Sequence, residues 1–188
     1  MATTAVESVI DVAFWFLDKA RKEDSYLQPQ MLQRLLYLAQ GHYAQVYHGR
    51  KLMPATFLVF EMGPIEPNIY RMFEVGRPDI RAVMPPPEVE NFLERLWLKY
   101  GHHGTDYLSE EVRGHEIVWR LLRQGEGQEI PFKLMATFFK ELATTKGKTI
   151  KTADGRRLQK WIPTAKPIPK KRARGIGEPT DPIKPQEQ

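Results

Sequence analysis

Not one cysteine occurs among the 188 residues, so the chain has neither a disulfide framework nor a thiolate to serve as nucleophile or metal ligand. That lack fits a reducing compartment, and the location expected is the cytoplasm. Long apolar runs are missing too. The richest stretch, Val6 to Ala20, is interrupted by Glu7, Asp11, Asp18 and Lys19, which makes it an amphipathic helix and neither a membrane span nor a signal peptide. Serine is scarce: Ser8, Ser25 and Ser109 are the only ones, and none stands in a nucleophile elbow. The glycines spell neither a phosphate loop nor a dinucleotide fingerprint. Among the histidines, His115-Glu116 lacks the second histidine of a zinc-protease helix. His102-His103 has no third ligand at a suitable spacing. The expectation is a protein that is not an enzyme and uses no metal or cofactor.

What is present is a core and a division of charge. Hydrophobic residues make up 41% of the chain, enough for one domain with a sizeable interior. The net charge of +5 is uneven: residues 143–188 hold twelve Lys or Arg against four Asp or Glu, whereas the first 142 residues carry a net −3. Halves of opposite sign point to two different jobs. The body is read as residues 1–144 and the tail as residues 145–188.

The body reads as mainly α. Val6, Val9, Ile10, Ala13, Phe14, Leu17 and Ala20 recur at helical spacing, and Trp15 falls half a turn off that stripe at roughly 100° per residue. A second helix opens at Pro29, a residue suited to a first turn. Its expected core face is Leu32, Leu35, Leu36, Ala39, Tyr43 and Val46, with Tyr37 pointing elsewhere and Gln40 on the margin. Residues 55–60 are β-prone and end at Gly63-Pro64, which predicts a small strand or hairpin after the second helix, paired near Lys51 to Met53. A short helix is expected from Glu66-Pro67 to near Gly76, a further helix over Val89 to Tyr100, and shorter ones around Tyr107 to Val112, Glu116 to Arg123 and Phe132 to Leu142. Residues 145–162 could form a small packed hairpin with Leu158, Trp161 and Ile162 folding back. From Pro163 onward six prolines fall among twenty-six residues, and such a segment is expected to be disordered.

Three stretches together resemble the Panacea domain, the antitoxin domain of SocA-like proteins. They are the helix from Leu32 to Tyr43 with Val12 to Leu17 before it, the strand, turn and helix from Phe60 to Tyr70, and the run from Leu96 through Leu108-Ser109 to Trp119. Similar proteins often carry a Thr-His pair between those last two points, where this chain has Val112-Arg113. The resemblance implies a mostly helical fold with a small β element. It also implies an antitoxin that neutralises a cognate protein toxin by direct contact, either by occluding it or by delivering it to a cellular AAA+ protease.

Tight neutralisation rests on a few aromatic or arginine anchors. Trp15 and Tyr37 lie off their helices' stripes, and Tyr70, Trp119 and Gln40 join them as candidate toxin contacts. Gly63 and Pro64 are read as a structural turn, because glycine permits the bend and proline forbids a continuing strand. That turn would present Glu61, Met62 and Tyr70 at a fixed angle. The alternative is that the aromatics complete the core from a second side. The tail, with candidate contacts Lys170, Lys171, Arg172 and Arg174, is open to three readings: an inert linker, an arm around an acidic toxin, or a salt-dependent nucleic-acid contact. The last makes a nucleic-acid-binding regulator the alternative function. It ranks below protein contact, because the body offers no matching basic face.

Overall fold

The computed structural model describes residues 4–74, 76–146, 150–151 and 157–158. Helix α1, Val9–Lys22, starts where the Ser8 side chain accepts a hydrogen bond from the Ile10 N–H at 3.1 Å. Asp11 in its first turn and Lys19, Arg21 and Lys22 in its last oppose the helix dipole favourably. Its buried face differs from the expected stripe: Val12 and Phe16 are fully buried, while Ile10 and Leu17 are half-buried. The reason is that α1 meets the rest of the fold on two sides. Phe16 packs near Trp97 with ring centroids 6.3 Å apart, and Asp11 Oδ1 accepts the Val83 N–H at 2.8 Å.

Helix α2, Pro29–Val46, is the central element. Every residue from 31 to 41 is buried, because α1, α3, α4, α5 and α7 all pack against it. Its expected one-sided core face is therefore too narrow, and Val46 lies half-exposed at the end. Close packing with α7, Phe132–Lys146, depends on Gly41. A methyl group added there would sit 2.2 Å from the Phe139 ring. His48 and Gly49, both in the left-handed region, end the run.

The remaining helices are α3 (Pro67–Met72), α4 (Pro87–Tyr100), α5 (Thr105–Arg113) and α6 (Glu116–Leu122). Of the seven helices among the described residues, α2, α3 and α4 open on a proline at the first turn, where its missing N–H is not needed. One cluster of buried apolar side chains draws on all seven.

The expected hairpin after α2 is not formed. Leu58 bridges single residues, Ile65 on one side and Glu129 on the other, and residues 51–53 pair with neither. Gln40 takes the place of a partner strand there. Its Oε1 accepts from the N–H groups of Leu52 and Met53 at 3.2 and 3.1 Å, and its Nε2 donates to the Met53 carbonyl at 3.1 Å. Ala5 and Val6 donate to the Leu52 carbonyl. Pro54 and Pro64, which lack an N–H, prevent the ladder from lengthening. A two-residue pair, β1 (Ile150–Lys151) with β2 (Arg157–Leu158), runs antiparallel further on. Trp161, Ile162 and the proline-rich tail lie outside the described residues.

Candidate docking groove

The groove is built where α1 and α2 meet α3. Leu17 comes from α1, Leu27 and Tyr26 from the connection that follows, and Arg34 from the first turns of α2. The opposite wall is Met62, Ile65, Ile69, Tyr70 and Phe73. The cavity they enclose is about 450 Å³, within the range of clefts that bury a small ligand.

Its far wall is held at a fixed angle by Glu66. That side chain is fully buried at the N-terminus of α3, where Oε2 accepts the Ile69 N–H at 2.7 Å. The Glu66 N–H donates to Gln33 Oε1 at 2.7 Å, which ties α3 to α2. Gly63 adopts φ +108°, and its N–H donates to the Phe60 carbonyl at 2.8 Å. A β-carbon there would approach the Arg34 guanidinium to 3.3 Å. The turn therefore lies flat against Arg34, and no other residue could do so without strain.

The groove is apolar but not uncharged. Arg34 is 2% exposed. Burial pulls its pKa down to about 10, and the like charge of Arg113 acts in the same direction. The guanidinium thus stays protonated at neutral pH. At the rim Arg77 pairs with Asp18 at 2.6 Å and lies over the Phe14 ring at 4.4 Å.

The residues singled out from the sequence fall in different places. Met62 and Tyr70 share the groove and are about half exposed, at 45% and 48%. Glu61 lies exposed next to Met62 in the same turn, its N–H donating to Glu126 Oε1 at 2.6 Å. Trp15 is half-buried, edge-on to Phe16, beside a separate cavity under the segment 81–85. Trp119 is 49% exposed on α6, away from the groove.

Tyr37 and Gln40 are interior residues. The Tyr37 hydroxyl lies 3.3 Å from His115 Nδ1, its ring meets Phe57 and Phe139 edge-on, and burial pushes its pKa upward. Gln40 is the clamp on residues 52–53. Lys170, Lys171, Arg172 and Arg174 lie outside the described residues. Several groove residues went unread in the sequence, Tyr26 and Arg34 among them. Tyr26 is 81% exposed in a connection with no periodicity to flag it. Arg34 left one trace, a cation among the leucines of an apolar helix.

Among the described residues no three His, Asp or Glu side chains come together as a metal site, and no helix is long and apolar enough to cross a membrane. No family model matches the chain, and no solved structure matches it. The chain is similar to the protein named antitoxin SocA from Caulobacter vibrioides (strain NA1000 / CB15N). The two are 26% identical over 136 residues, covering 63% of this chain and 72% of that protein. The likeness read from three stretches of sequence is thus carried by a relative and not by a family model.

Proposed function

We propose that this chain is an antitoxin with a Panacea-like body, acting in the cytoplasm, and that it neutralises a cognate protein toxin by direct binding at the groove between α2 and α3. The similarity to antitoxin SocA over 136 residues is the observation that carries the role. The groove is the surface that suits it best. Tyr26, Met62 and Tyr70 stand exposed around an apolar floor, and anchors of that kind dominate tight protein contacts. Tyr37 and Gln40, being buried, support the groove's helix and do not touch the toxin.

The test is co-expression with the neighbouring reading frame. That frame should poison cells alone and be harmless beside this chain; a neighbour harmless by itself removes the reading. The double variant Met62→Ala/Tyr70→Ala should lose at least tenfold in toxin affinity. Its stability should stay within about 0.5 kcal/mol of the parent, as for exposed positions. Rescue retained in full by the double variant moves the contact elsewhere.

Delivery to an AAA+ protease is favoured over occlusion if the toxin disappears only in cells with that protease intact. The charge division supports a second reading, a regulator that touches nucleic acid through the tail. It requires DNA affinity that falls steeply with salt and is lost when residues 163–188 are removed.

A further inference from the structure

Arg34 carries a charge that the fold does not neutralise. Among the described residues no carboxylate forms an ion pair with it. Its Nη1 reaches the Gln30 carbonyl at 3.4 Å, and its buried Nε reaches no acceptor. Glu66, the buried carboxylate at the neighbouring end of α3, is engaged by Ile69 N–H and Asn68 Nδ2. The other charge acting on Arg34 is Arg113, of the same sign. A buried cation without a counter-ion is unfavourable, and a carboxylate that arrives with its own apolar surroundings relieves it. The planar guanidinium fork suits a carboxylate better than any other side-chain group.

We propose that the groove's partner is a polypeptide segment in which an Asp or Glu side chain, flanked by apolar residues, pairs with Arg34 while its neighbours pack on Met62 and Tyr70. This rests on the docking role given to the groove above, and it adds the chemistry of the occupant. The close fit of Gly63 on the guanidinium holds the fork in place before the partner arrives, so little ordering remains to be done on binding.

The experiment uses the full chain and pools of terminally blocked heptapeptides, random in Leu, Phe, Met and Ser around one central residue. One pool carries Glu there and one carries Gln; a third carries Gln with a free C-terminal carboxylate. Binding is followed at the Arg34 Nε–Hε resonance. The Glu pool should half-saturate at a concentration at least tenfold below the Gln pool, with the Arg34 signal moving.

In Arg34→Met, followed at the Met62 methyl, the two blocked pools should become equal. Should that variant not fold, the comparison on the parent chain decides alone. Equal response to Glu and Gln, or no movement at Arg34, overturns the inference, as does a free terminal carboxylate that outperforms the internal Glu. These readings need no toxin. Their failure is therefore separate from a failure of rescue in the Met62/Tyr70 variant.

Discussion

Gln40 satisfies three main-chain groups with one side chain, two N–H donors and one carbonyl, all in the interior. Gln40→Ala leaves the Leu52 and Met53 N–H groups without partners, while the Met53 carbonyl keeps the Ala55 N–H; an orphaned buried group costs about 1–3 kcal/mol. The expected loss is about 3 kcal/mol in urea unfolding, more than a surface glutamine could produce. That residue and Tyr37 show where periodicity misleads. At roughly 100° per residue both fall off the leucine stripe of α2 and look available to a partner. A helix surrounded by others has no outward side, and nothing within its own eighteen residues states how many neighbours it will have. The exposure of Met62 and Tyr70 follows a different rule: they flank a Gly-Pro turn, whose chemistry is local.

Elements were legible wherever local rules decide them. The seven helices lie within a few residues of where apolar spacing and first-turn prolines put them. The strand after α2 was not, because its outcome depends on a glutamine twelve positions upstream and on two prolines that stop the ladder. The contact between α2 and α7 turns on one position. Gly41→Ala drives a methyl into Phe139, a ring 1% exposed and hemmed in by Tyr37, His42 and His115. Overpacking of this kind costs about 1–3 kcal/mol, to be seen as a lower urea midpoint with unchanged slope.

The tie between α1 and the segment after α3 responds to acid. The hydrogen bond from Arg77 holds the Asp18 carboxyl below its ordinary 3.8. A lowered folded pKa contributes stability above the unfolded value, lost as pH falls through the folded one. The parent's advantage over Asp18→Asn should therefore be constant at neutral pH and fade below about pH 4. It should stay under about 1 kcal/mol, since the pair is exposed to solvent.

At the scale of the whole molecule, a mildly acidic body carries a basic extension, and the body is organised around one helix. A single apolar cluster reaches from α1 to α7, so no helix pair has an interior of its own. The encirclement of α2 also sets the order in which main-chain protons trade with solvent. A surface helix can fray or detach while the remainder holds, whereas residues 31–41 meet water only when every neighbour has left. In deuterated buffer their amides should be the last to exchange, at a rate that reads out the free energy of complete unfolding. Amides of α6 and of exposed Glu61 and Met62 should exchange orders of magnitude sooner. Comparable rates in α2 and α6 would mean that the centre opens without the rest.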